Sequence, residues 1–152
     1  VTKQQAQQYL NYDKNNRRIE NLVKGDYLKK QMINGKMIFR LGNKGTAYVK
    51  ENIADVDKIY SLAGGRSGFY HDHLLTELYY EYHHSHYDAL ETWKTEQDYK
   101  HNGSYGSPDA TITLNEKTLC LEIVTSNYKT EHIESKVLFA ELHGFQMVMH
   151  RV

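Results

Sequence analysis

Cysteine is nearly absent from this chain of 152 residues: Cys120 is the only one. A lone thiol cannot close an internal disulfide, so a reducing compartment, by default the cytoplasm, is the simpler expectation. Proline is equally scarce, and the single Pro108 marks a boundary inside the later half of the chain. No apolar run approaches the roughly 18 residues needed to cross a bilayer, which excludes a helical membrane span. No stretch has the layout of a secretory leader. A net charge is also missing, since 19 Lys and Arg balance 19 Asp and Glu. That balance hides a division. Residues 1–60 carry 12 basic and 6 acidic side chains, and residues 61–152 carry 7 and 13. A half at +6 beside a half at −6 implies two modules with different partners, the first attracting a polyanion and the second repelling it.

Composition is otherwise that of a globular protein, with 39% hydrophobic and 25% charged residues. The length suits one ordinary domain or two small ones. Three glycines fall within Ala63-Gly-Gly-Arg-Ser-Gly68, which reads as a linker or long turn between domains at 1–60 and 69–152.

In the first half, residues 2–10 form an expected helix with Thr2 as N-cap and Ala6, Tyr9 and Leu10 on one face. Asn11-Tyr12-Asp13 turns the chain, and Asp13 suits the cap of a second helix over about 14–24, whose buried stripe is Ile19, Leu22 and Val23. Gly25 stands where a helix end favours positive φ. Two strand-like runs, 27–33 and 36–41, flank Asn34-Gly35, the strongest short-range signal for a hairpin. A further helix over about 44–52 turns Ala47, Tyr48 and Ile53 inward.

Helix, turn, helix and two-residue hairpin in that order predict a winged helix-turn-helix. The second helix is its reader and leaves Lys14, Asn15, Arg17, Arg18 and Asn21 outward. Arginine pairs with guanine, and asparagine with adenine, through two bonds each in the major groove. The hairpin offers Lys30, Gln31, Asn34 and Lys36 to phosphate or the minor groove. Double-stranded DNA is therefore the expected partner, and no cofactor is needed to bind it. A solvated charged face or a protein-binding winged helix is the competing reading. A complete winged helix has one more helix ahead of the first, and this chain starts too late for it.

The second half reads as a helix over 69–86, a strand over 92–97, strands over about 108–114 and 118–124 joined at Asn115-Glu116, a helix over about 130–142 and a strand from 145 to 152. Leu74, Leu75, Leu78 and Tyr82 are the inward stripe of the first helix, and Ile133, Val137, Leu138 and Leu142 that of the second. The expected fold class is α+β: a winged helix followed by a small αβββαβ domain of restriction-endonuclease type. Asp109 and Glu122 stand on consecutive strands, and Glu77 on the first helix is a possible third acid. Such carboxylates hold Mg²⁺ or Mn²⁺ and position a metal-bound water for phosphodiester attack. The usual Glu-x-Lys is replaced by Glu122-Ile123-Val124, which leaves Lys136 on the next helix as a displaced lysine. Without the adjacent lysine, a non-catalytic binding module is the more economical reading. His71 and His73 are two apart and face apart on their helix. None of the histidines, His83, His84 and His86 included, shows the helical i,i+4 ligand spacing of zinc proteases. Tyr79-Tyr80-Glu-Tyr82 reads as core and rim packing.

Taken together, Arg17–Leu28, Arg40–Gly45, Tyr70–Leu74, Glu96, Pro108-Asp-Ala110, Leu121-Glu-Ile123 and Lys136 resemble the replication-relaxation family of plasmids, conjugative elements and phages. The resemblance covers most of the chain. It implies an accessory DNA-binding protein of replication or mobilisation that binds at an origin; the +6/−6 division adds the expectation that the acidic half recruits a relaxase or replication initiator. It implies no chemical activity. A metal-dependent nuclease or nickase, and a dimeric repressor whose second half only dimerises it, remain the alternatives. A homodimer suits a reader of palindromes.

Overall fold

The structure is a computed structural model that describes residues 1–13, 17–53, 65–100 and 106–151. It is mixed α+β with two sheets and divides into two compact units, Val1–Phe69 and Tyr70–Val152. Among the described residues no helix is long and apolar enough to cross a membrane.

The first unit opens with α1 (Lys3–Tyr9), held by a capping box in which Thr2 Oγ1 accepts from Gln5 N–H and Gln5 Oε1 accepts from Thr2 N–H. Asn11 then takes φ 51°, and the N–H groups of Leu10 and Tyr12 both donate to the Ala6 carbonyl. Ala6 is buried as expected, but Leu10 is exposed and the capping Gln5 takes its place inside. The second helix, α2, is described as Arg17–Lys24. It does not end on a left-handed Gly25. The left-handed residue is Asp26 at φ 62°, with Tyr27 N–H on the Leu22 carbonyl and Asp26 N–H on the Val23 carbonyl. This is the double bond pattern of a Schellman end moved one residue on, at a residue type whose short polar side chain tolerates the geometry.

Strands β1 (Leu28–Ile33) and β2 (Lys36–Leu41) pair antiparallel around Asn34 at φ 49° and Gly35 at φ 74°, the type I′ turn that matches strand twist. The chain start adds to this hairpin: Val1 exchanges two backbone bonds with Phe39, and Thr2 bridges Ile38. This third edge has no periodic signature, because one or two residues are too few to show an alternation. Ile33, Ile38 and Phe69 form the small core of the unit.

Helix α3 (Asn43–Asn52) departs from expectation, since Ala47, Tyr48 and Ile53 all face solvent. Gly45 lies where an added Cβ would come within 2.0 Å of the Tyr27 carbonyl oxygen, so the helix meets the hairpin through its bare glycine backbone. That close approach decides which face is inward.

The second unit begins within α4 (Gly65–Ser85). Residues 65–68, expected as linker, are helical; residues 54–64 lie outside the described part. A 3₁₀ helix (Tyr87–Thr92) and β3 (Lys94–Thr95) follow, and the expected strand over 92–97 shortens to those two residues. Thr95 stops it, because its N–H and hydroxyl both donate to Asp98 Oδ2, at 2.6 and 2.9 Å, and start the short helix α5 (Glu96–Lys100). Then come β4 (Ala110–Leu114), β5 (Lys117–Val124), α6 (Thr130–His143) and β6 (Gln146–Arg151).

The sheet order is β3-β4-β5-β6, antiparallel except for the parallel β5-β6 pair that α6 connects. Asn115 and Glu116, both at positive φ, make the β4-β5 turn. One face packs Ala110, Ile112 and Leu121 against Leu75, Tyr82, Leu90 and Trp93. The other packs Cys120, Phe139 and Ala140 against Tyr99, Phe145 and Met147. Because β5 is covered on both faces, residues 120–124 are all buried. The inward stripe of α6 is corrected: Leu138 and Leu142 are 55% and 75% exposed, while Phe139, Ala140 and Lys136 are buried. The helix is rotated so that Lys136 reaches a buried carboxylate.

Candidate functional site

Two groups of predicted residues can be placed. In the first unit, the half-buried stripe of α2 is Ile19, Leu22 and Val23, and Arg17, Arg18 and Asn21 are exposed on the opposite side. Lys14 and Asn15 lie outside the described residues. On the hairpin, Lys30, Gln31 and Asn34 are exposed, while Lys36 is half-buried. Lys30 Nζ stands 3.7 Å from Glu20 Oε2, so the hairpin and α2 share one surface. Both partners of that pair are about half exposed, so it contributes little to stability and leaves the lysine available to a phosphate.

The second group converges at the end of the sheet where β4 begins and β5 finishes. The β4-β5 register sets Ala110 opposite Leu121, and so continues Asp109 onto Glu122. The two are stitched together: Asp109 N–H donates to Glu122 Oε2 at 3.1 Å, and Ile123 N–H donates to Asp109 Oδ2 at 2.7 Å. From α6, Lys136 Nζ lies 3.3 Å from Glu122 Oε1 and 2.6 Å from the Ser107 carbonyl oxygen. From the β5-α6 turn, the Tyr128 hydroxyl donates a short bond to Glu122 Oε1. From α4, His71 Nε2 lies 3.0 Å from Asp109 Oδ2, and its Nδ1 lies 3.2 Å from Asp72 Oδ1. Gly106 at φ 73° makes the approach to α6 possible, since an added Cβ would fall 2.6 Å from the Ser135 carbonyl oxygen.

Glu122 is fully buried, and Asp109 and Lys136 nearly so. Burial pushes the Glu122 carboxyl up from its usual range, and the neighbouring Asp109 charge adds to that. Hydrogen bonds to Asp109 and then Asp72, which outweigh burial, raise His71 to about 10, so it is a doubly protonated cation at neutral pH. Burial raises the Tyr128 hydroxyl, and its bond to Glu122 raises it further. The Cys120 thiol, pushed up to about 11 by burial and by Glu122, stays protonated and unreactive. Two carboxylates thus face two cations in a place nearly closed to water.

The sequence brought Asp109, Glu122 and Lys136 to attention but not His71, Tyr128 or Ser107. The signal for His71 was its seat in the second turn of α4 with an adjacent acid; weighing it only as a metal ligand concealed its use as an ion-pair partner. Glu77 does not join the cluster and instead lies 4.0 Å from His73. Among the described residues no three His, Cys, Asp or Glu side chains form a group able to hold a metal ion. Asp109 Oδ2 and Glu122 Oε1 each already face two donors, and Glu122 Oε2 accepts one more. His71 and Lys136 supply the positive charge there. This arrangement does not fit a bound Mg²⁺ or Mn²⁺.

The His71 pair links stability to pH. The folded value of about 10 lies above the ordinary 6.5. Its stabilisation is therefore complete below about pH 6.5 and is lost as pH rises through about 10. The raised Glu122 acts in the same direction. The denaturant midpoint, followed by emission of the single Trp93, is expected to fall steadily from about pH 6 to pH 10, and His71→Gln is expected to flatten most of that slope. An unchanged slope in the variant would refute the pairing.

No family model, curated protein or solved structure matches the chain.

Proposed function

We propose that the chain is a sequence-specific, double-stranded-DNA-binding accessory protein whose first unit reads DNA and whose acidic second unit recruits a protein partner. The observation that carries this reading is the division of α2: Ile19, Leu22 and Val23 lie on the packed side, and Arg17, Arg18 and Asn21 on the exposed side beside Lys30 of the hairpin. Arginine and asparagine on the exposed side of a helix are the side chains that major-groove reading uses. The hairpin, with the chain start added to β2, has the position and basic edge of a wing. In this proposal the two units are a winged helix and a nuclease-like domain. Plasmid or mobile-element replication or mobilisation is the setting that the family resemblance suggests.

The second unit is proposed as non-catalytic. Its cluster ties α4, α6 and the sheet together through ion pairs between buried carboxylates and the cations His71 and Lys136. The nuclease alternative draws support from one observation, the arrival of Lys136 beside Glu122.

The deciding measurement is fluorescence anisotropy of labelled duplexes selected from a random pool, against scrambled duplexes, over a salt series. A preference of at least about 10³-fold for the selected duplex, with affinity falling steeply as salt rises, is expected. Equal, weak binding to every duplex refutes sequence-specific reading. Nicking of the duplex in manganese that Asp109→Ala abolishes would transfer the assignment to the nuclease.

A further inference from the structure

We infer that the second unit carries a binding cleft for a cationic side chain, and that its natural occupant is an arginine in a basic segment of a partner protein. The cleft has a volume of about 190 Å³ and is lined by Leu75, Thr76, Tyr79, Tyr80 and Trp93. Three of the five lining residues are aromatic, and their rings meet edge to face. The Tyr79 and Trp93 rings are 5.3 Å apart at 85°, and Tyr79 and Tyr80 are 5.7 Å apart at 74°. In such an edge-to-face contact the edge of one ring covers a face of the other, and the faces of the edge-on ring stay clear of that partner. The negative face of each ring attracts a cation, most strongly for tryptophan and then tyrosine.

An aromatic cleft also suits a nucleobase, and the surrounding charge decides between the two. From Phe69 to Trp93 the chain holds five carboxylates, Asp72, Glu77, Glu81, Asp88 and Glu91, no lysine or arginine, and one cationic histidine, His71, whose charge Asp72 and Asp109 offset. Asp72 lies one helical turn before Thr76 on the same face. Glu81, Asp88 and Glu91 are exposed. Such a field repels a phosphodiester backbone and concentrates a basic peptide. Arginine is favoured over lysine because its planar, weakly hydrated guanidinium stacks on rings as well as carrying charge.

The earlier reading of Tyr79, Tyr80 and Tyr82 as core and rim holds only in part. Leu75 and Tyr82 pack on the sheet, whereas Tyr79 is 36% exposed at the cleft. This inference names the chemistry of the partner in the proposed function. It rests on the second unit recruiting a protein, and not on the first unit binding DNA.

The test uses the full chain and a fluorescein-labelled nine-residue peptide of alternating arginine and glycine, read by anisotropy without DNA. A lysine-glycine peptide of equal charge and labelled oligothymidylate serve as competitors for the assignment. The arginine peptide is expected to bind, the lysine peptide several-fold more weakly, and oligothymidylate not at all. Tyr79→Phe, which keeps the ring face, is expected to retain affinity within about 3-fold. Tyr79→Leu, which keeps apolar packing against Trp93 but loses the face, is expected to lose about 10-fold. Equal affinity in the Leu and Phe variants, binding of oligothymidylate instead, or no binding of the arginine peptide would each overturn the inference. Duplex binding measured on the same preparation separates the outcomes: DNA binding with no peptide binding removes the cleft alone, and the converse removes the DNA reader alone.

Discussion

Replacing Lys136 with methionine is expected to destabilise the second unit by about 3–5 kcal/mol, the largest effect of any single change considered. Lys136 is the near cation for a carboxylate with no solvent exposure. Methionine matches its apolar length, so packing is largely kept and the charge is what disappears. Glu122 is left with the Tyr128 hydroxyl and the Asp109 N–H, and with a second buried carboxylate beside it. Two further outcomes identify the mechanism. Glu122→Gln introduced into the Lys136→Met chain should recover a large part of the loss, because no buried charge is then stranded. Acid should also rescue the single variant, since Glu122 is already pushed up and loses its main nearby cation; the deficit at about pH 5 should be smaller than at about pH 8. Trp93 is the only tryptophan and lies in the second unit, so its emission reports that unit without interference from the first. A cost under about 1 kcal/mol would show that the pair is solvated in solution.

Arg17→Ala and Arg18→Ala are the second pair of large effects. Each is expected to weaken binding to the preferred duplex by about 1–3 kcal/mol, roughly 5- to 150-fold, if it reads a base edge. Binding to scrambled duplex should change far less, because non-specific affinity rests on phosphate contacts shared among many cations. Lys30→Ala should behave in the opposite way, weakening all duplexes alike and lowering the salt slope by about one. The contrast matters more than either number. Both arginines are exposed and lie outside the Ile19/Leu22/Val23 stripe, and the melting temperature of each variant checks that the fold is kept. Both single variants binding the preferred duplex at full affinity would end the assignment of α2 as reader.

Much of the architecture was legible because its signals are local. The Thr2 N-cap, the Asn34-Gly35 turn and the Ile19/Leu22/Val23 spacing each lie within a few residues, where backbone geometry and side-chain preference act directly. Expectations failed where a distant contact overrode a local one. Ala47 and Tyr48 look like an inward face, yet Gly45 lets the Tyr27 carbonyl close against the α3 backbone and turns that face outward. Leu138 and Leu142 look like core, yet the pull of Glu122 on Lys136 sets the rotation of α6.

The candidate site divides along the same line. The sequence alone determined the charge asymmetry of the two halves, the order of elements, and the pairing of Asp109 with Glu122 across a hairpin, since adjacent antiparallel strands and a two-residue turn fix that register. Tertiary structure alone decided that His71, Lys136 and Tyr128, from three other segments, close on those carboxylates, the first two with positive charge and the tyrosine with a hydrogen bond. It also decided that Tyr79 and Trp93 meet edge to face. Contacts between residues far apart in the chain depend on how helices rotate and dock, and that is settled by the packing of the whole unit rather than by any spacing a linear sequence displays.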